Sequence, residues 1–150
     1  MLASLVSMID PLPVIKALVP FCERGELLGI HMEGPYISPH KCGAQNPAAV
    51  RNPDLDELRS WLEAGAGWIK TMTIAPEVED AAGAAKLLHE YGAVPSWGHT
   101  AGLSADTLAQ VHVTAEHGKE IKMEKVPQTA THLLMQCRLL PIGSRGRCVN

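Results

Sequence analysis

The feature that most constrains this chain is its alternation of short apolar runs with amphipathic stretches. Leu27–Glu33, Trp68–Ile74, Ala93–Gly98 and Gln128–Leu133 read as strands, and the opening Leu2–Met8 is a further strand candidate. Helices fit between them. Asn52 suits a cap and Pro53 the first turn of a helix ending near Gly65, with Leu55, Leu58, Trp61 and Leu62 on one face. A second helix follows Pro76, with Val78, Ala81, Ala85 and Leu88 inward and Gly92 as its stop. Ser104 suits the cap of a third, carrying Leu108, Val111 and Ala115 and ended by Gly118. Parallel strands need a crossover, and a helix supplies it, so this order implies an α/β fold with a parallel sheet.

Two stretches interrupt the alternation. Residues 36–51 hold Pro39, Gly43 and Pro47 and read as a long functional loop, whereas residues 119–125 are charged and read as a solvated insertion. Neither an internal repeat nor a low-complexity tract is present. With 46% hydrophobic and 19% charged residues, the 150-residue chain has the composition of one globular core. A formal net charge of −3 offers no basic field for nucleic acid. No apolar run approaches the roughly 18 residues that cross a bilayer. The first residues lack the basic start and apolar core of a signal peptide, so the expected compartment is the cytoplasm. Cys22, Cys42, Cys137 and Cys148 form no CxxC pair and read as free thiols.

Three side chains of metal-binding type stand where strands end: Glu33, His99 and His132. Active-site groups of α/β barrels lie at the carboxyl ends of strands. One carboxylate and two neutral imidazoles suit zinc or a related divalent ion, which generates hydroxide and polarises a carbonyl. Taken singly, each residue has a plainer reading. A Glu before Gly-Pro suits a turn edge, and a His suits a packed interior. His31 lies two residues before Glu33, so a regular strand aims both at one face. It suits a hydrogen-bonding role beside a metal or a place in the core. His40, His89, His112 and His117 read as loop or helix-face residues.

The words around these residues are more specific. Gly29-Ile30-His31-Met32-Glu33-Gly34-Pro35-Tyr36-Ile37-Ser38-Pro39, then Lys41-Cys42-Gly43-Ala44-Gln45-Asn46-Pro47, then Gly98-His99-Thr100 and Thr131-His132-Leu133 stand in order. Over about residues 1–134 this set resembles the N-acetylglucosamine-6-phosphate deacetylases. The resemblance implies a partial (β/α)8 TIM-type barrel of the metal-dependent amidohydrolase superfamily over residues 1–133. It implies a divalent metal, zinc or an alternative such as iron, held by Glu33, His99 and His132. Ala44 and Gln45 would reach the sugar from the loop, and His31 would stand behind the metal ligands. Gln45 occupies a place where the family usually has a His. The implied reaction is hydrolysis of the N-acetyl amide of N-acetylglucosamine 6-phosphate to glucosamine 6-phosphate and acetate. The partner is thus a small amino-sugar phosphate, with a homodimer as the complete enzyme's expected state. The general base, an Asp on a later strand, lies beyond this chain.

The resemblance breaks at both ends. The family's preceding β-sandwich and early metal motif have no counterpart before Met1. After Leu133 the family continues Phe-Asn-Ala-Met-Pro-Pro and then His-Arg-Glu-Pro-Gly, whereas this chain continues Leu134-Met135-Gln136-Cys137-Arg138-Leu139-Leu140. Those residues can be encoded TTA ATG CAA TGC CGC CTA TTG, and the frame beginning at AAT reads Asn-Ala-Met-Pro-Pro-Ile. Extending the string with CCC ATC GGG AGC CGG GGC CGG gives Ala-His-Arg-Glu-Pro-Gly-Pro. Residues 134–150 are therefore expected to be a frameshifted, non-native tail. A complete barrel takes about 250 residues, so the chain is expected to be incomplete and inactive alone. The alternative is a non-catalytic remnant that binds a metal. A dihydroorotase-like amidohydrolase is disfavoured by the Glu-Gly-Pro loop, and a flavodoxin-like module by the absence of a Gly-rich phosphate loop.

Overall fold

The computed structural model describes residues 1–102, 104–120, 126–131, 138–139 and 148–149. Five strands, β1 (Leu2–Leu5), β2 (Gly29–Glu33), β3 (Ile69–Ile74), β4 (Val94–Trp97) and β5 (Thr129–Ala130), form one sheet in the order β1-β2-β3-β4-β5. Every neighbouring pair is parallel. The crossovers are helices: α1 (Leu12–Glu23), α2 (Leu55–Ala64), α3 (Ala81–Glu90) and α4 (Ser104–Glu120). Two short strands, β6 (Arg138–Leu139) and β7 (Cys148–Val149), pair antiparallel with each other. They fall in the stretch expected to be non-native; most of residues 132–150 lie outside the described residues.

The pleat sorts the two faces. Ile30 and Met32 of β2, Met72 and Ile74 of β3 and Trp97 of β4 join Ile15, Leu58, Leu62 and Leu88 from the helices in one buried cluster. Each large aliphatic buried there contributes about 1.5–3 kcal/mol. The intervening residues point to the opposite face, and there the polar side chains join. Ser4 Oγ meets His31 Nδ1 at 3.1 Å, and His31 Nε2 meets Thr73 Oγ1 at 2.9 Å. Thr73 Oγ1 meets Thr131 Oγ1 at 2.9 Å, which meets Ser96 Oγ at 2.6 Å. One face is oily and helix-covered, the other a hydrogen-bonded polar strip. Such a division suits a barrel wall with a polar interior.

Several boundaries differ from the sequence expectation. Helix α1 was not anticipated: Pro11, Pro13 and Pro20 obscure its period, although it buries Ile15 and Cys22. The cap of α2 is Asp54, whose Oδ1 accepts from Asp56 N and Glu57 N at 3.0 Å, and not Asn52. A carboxylate at that position also complements the helix N-terminus. Helix α3 begins at Ala81, later than Pro76 suggested. Helix α4 runs through Gly118 to Glu120, so Lys119 and Glu120 are helical and not part of an insertion; residues 121–125 lie outside the described residues. Leu108 is exposed, and Thr114 is fully buried. His89 is buried, its Nε2 donating to Pro127 O at 3.0 Å.

Candidate metal centre

The carboxyl ends of β2 and β4 meet over the end of β3. Glu33 is the last residue of β2, and His99 follows β4 by two residues. Register explains why they converge. Glu33 lies opposite Thr73, and Thr73 lies opposite Ser96, three residues before His99. Glu33 Oε1 stands 2.7 Å from His99 Nε2, and the His99 side chain is 7% exposed. The other ring nitrogen, Nδ1, lies 2.9 Å from Lys41 O. A carbonyl only accepts, so Nδ1 carries the hydrogen and, in neutral imidazole, Nε2 presents a lone pair. That lone pair faces a carboxylate, which is also an acceptor. At 2.7 Å the two share a proton, whose place a divalent ion would take.

This donor set fits a divalent ion. It offers one carboxylate oxygen and one imidazole nitrogen, with the far nitrogen oriented by a backbone carbonyl, as metal-binding histidines usually are. His132, the third expected ligand, lies outside the described residues. Among the described residues no group of three or more His, Cys, Asp and Glu side chains gathers for a metal. Thr131, which precedes His132, is held by its N–H donating to Trp97 O at 2.9 Å. Gly98 makes that approach feasible, because a Cβ on it would lie 2.7 Å from Thr131 O.

The long loop clasps His99. Ser38 N donates to His99 O at 3.0 Å while Lys41 O receives the ring hydrogen. His99 has φ 53, a left-handed conformation that costs a non-glycine residue roughly 1–2 kcal/mol. The loop begins at Gly34, with φ +74, where any Cβ would collide with Ser7 Oγ. Ser7 Oγ in turn donates to Glu33 O at 3.0 Å. Farther along, Arg51 ties the loop down, donating to Glu57 Oε1 at 2.8 Å and to Met8 O at 3.2 Å. Tyr36 stacks on Trp61 at 5.6 Å between centroids and donates to Glu57 Oε2 at 2.9 Å. Burial, reinforced by the neighbouring Glu57 carboxylate, pushes its phenol well above the usual range.

The remaining expected site residues are placed as follows. Gln45 is buried, and its Oε1 accepts from Ser7 N at 2.6 Å. Ala44 beside it is exposed. His31 bridges Ser4 and Thr73 on the polar face, on the same side as Glu33. Cys22 and Cys42 are free thiols. Sequence reasoning missed Glu77, which grips the residues after His99 through Thr100 and Ala101. Its signal was present, a carboxylate one residue past the Ala75-Pro76 end of a strand. No helix among the described residues is long and apolar enough to cross a membrane.

A parallel sheet with helical crossovers, and Glu and His converging at its carboxyl edge, defines part of an amidohydrolase-type (β/α) barrel. Comparisons with known proteins narrow the class. The chain is 30% identical over 108 residues to the N-acetylglucosamine-6-phosphate deacetylase of Lysinibacillus sphaericus, matching 72% of this chain and 28% of that protein. It is 39% identical over 75 residues to the Bacillus subtilis enzyme of the same name, matching 50% of this chain and 19% of that protein. A mutant N-acetyl-D-glucosamine-6-phosphate deacetylase from Mycobacterium smegmatis, solved with N-acetyl-D-glucosamine-6-phosphate, superimposes with a TM-score of 0.80 at 33% identity. That match covers 98% of this chain and 35% of the solved one. No protein-family model matches. The chain is thus similar to a segment of N-acetylglucosamine-6-phosphate deacetylase, spanning about a third or less of the relatives' length.

Proposed function

We propose that this chain carries part of the divalent-metal centre of an N-acetylglucosamine-6-phosphate deacetylase, with Glu33, His99 and His132 as ligands. The observation that supports the reading is the carboxylate–imidazole pair at the strand ends, Glu33 Oε1 and His99 Nε2, 2.7 Å apart. When bound, a zinc or similar ion supplies a lowered water pKa and a polarised amide carbonyl. The chain's own residues hold and orient. Lys41 O takes the Nδ1 hydrogen of His99, so that Nε2 is the nitrogen turned toward Glu33. Ser7 anchors the backbone of Glu33 and the side chain of Gln45 together, so the loop and the ligand strand move as one. The Gln45 amide and the Ala44 backbone face the sugar, and His31 stiffens the polar strip behind Glu33. The substrate is N-acetylglucosamine 6-phosphate, and the products are glucosamine 6-phosphate and acetate.

For these 150 residues taken alone we propose metal binding without turnover, because the resemblance puts the general base on a later strand. The test is bound zinc per chain together with acetate release from N-acetylglucosamine 6-phosphate. Metal binding that Glu33→Ala abolishes, without acetate release, supports the reading. Acetate release that survives Glu33→Ala, or no zinc bound by the parent, overturns it.

A further inference from the structure

The turn that carries His99 is built around a carboxylate. Glu77, in the turn after β3, accepts from Thr100 Oγ1 through Oε2 and from Ala101 N through Oε1, both at 2.6 Å. Thr100 Oγ1 also accepts from Gly102 N at 2.9 Å. A Cβ on Gly102 would lie 3.1 Å from both Glu77 Cβ and Glu77 Oε2, so the chain wraps closely about the acid. Residues up to His99 are fixed by other bonds, Gly98 N to Ile74 O at 3.0 Å and Ser38 N to His99 O at 3.0 Å. The residues after it are held by Glu77. Because φ of His99 is left-handed, the backbone there needs restraint on both sides.

We propose that Glu77 is a positioning residue of the metal centre. By gripping Thr100 and Ala101 it sets the direction in which His99 presents Nε2. The proposal rests on reading His99 as a ligand. The carboxylate is suited to the task because bonds to an ionised acceptor are short and about twice as strong as neutral ones. Its oxygens face the turn's own donors, so its role is to orient, and not to ligate.

The experiment compares Glu77→Ala, Glu77→Gln, Thr100→Val and Thr100→Ser in the full chain. In metal-free protein, nitrogen NMR of His99 and hydrogen exchange at the Ala101 amide report the turn directly. The expected result is a mixed His99 tautomer and at least about 10-fold faster Ala101 exchange in Glu77→Ala. Cobalt titration should then show about 10–100-fold weaker binding, recovered largely by Glu77→Gln and Thr100→Ser. Should Glu77→Ala not fold, Thr100→Val removes one of the two bonds and supplies the same readouts. Unchanged tautomer and exchange overturn the proposal. So does a cobalt loss that Glu77→Gln fails to restore and that Asp54→Ala, a distant cap variant, reproduces. A parent that binds no cobalt overturns the ligand reading of His99, while tautomer and exchange still decide whether Glu77 sets its orientation.

Discussion

Glu33 sets the negative charge of its carboxylate 2.7 Å from His99 Nε2. Replacing Glu33 with Gln keeps the size and removes that charge. Zinc affinity measured by competition with a chromogenic chelator should fall at least about 100-fold, more than removal of an outer hydrogen-bond partner costs. The metal-free melting temperature should change little. Tyr36 makes a pH prediction of a different kind. Its phenol pKa is raised in the folded chain, so the neutral form is the one folding favours. The stability this contributes is complete below the unfolded value of about 10 and is lost as pH rises above it. Alkaline unfolding followed by tryptophan fluorescence should begin above about pH 10, and Tyr36→Phe should move its midpoint upward. The closeness of Glu33 and His99 was legible because each stands at or just past the end of a recognisable strand within a specific word. Glu77 carried only the signal of a carboxylate just past a strand end, because its contacts form only once the turns after β3 and β4 meet.

Strand words are long, apolar and bounded by Gly or Pro, which is why β2, β3 and β4 emerged at nearly their true limits. Helix starts were harder to place. Asn52 and Asp54 are both good caps, and only the backbone turn chose Asp54. Asp54→Ala should cost about 1 kcal/mol, seen as a melting temperature lowered by about 2–4 °C. Helix α1 escaped notice because Pro11, Pro13 and Pro20 mimic breakers, although the first two fall at its start, where a missing N–H costs nothing. Gly118 suits a helix stop, but α4 runs through it. Where β4 meets β5, Gly98→Ala should destabilise by more than the propensity change, because the new methyl has Thr131 O and Cβ in its way. Urea unfolding measures that loss, and hydrogen exchange at Thr131 N locates it.

At the scale of the molecule, the described strands form a barrel wall whose outermost members are β1 and β5. β1 and β5 each have one neighbour in the five-strand sheet. Beside β1, Met1 is 86% exposed and Leu28 67%. Unpaired edges flanked by apolar side chains favour association. Light scattering on the isolated chain should show mass rising with concentration, and Leu28→Lys should suppress that rise. The expected frame change after Leu133 belongs to this scale too. Codons for residues 134–147 that lack the alternative reading would remove it. Fold class was readable here because alternation alone dictates a parallel sheet. The polar strip from Ser4 to Ser96 was not, since it depends on register across all five strands.

The unbroken strand order has a consequence for how the chain is made. In the five-strand sheet each strand after β1 pairs with the strand just before it in the sequence, so no early strand waits for a late one. As the chain leaves the ribosome, each new strand and helix can dock on the edge left by the last. Loop-closure cost then stays near that of a single crossover at every step. Growth is one-directional, and the newest strand is always the template for the next.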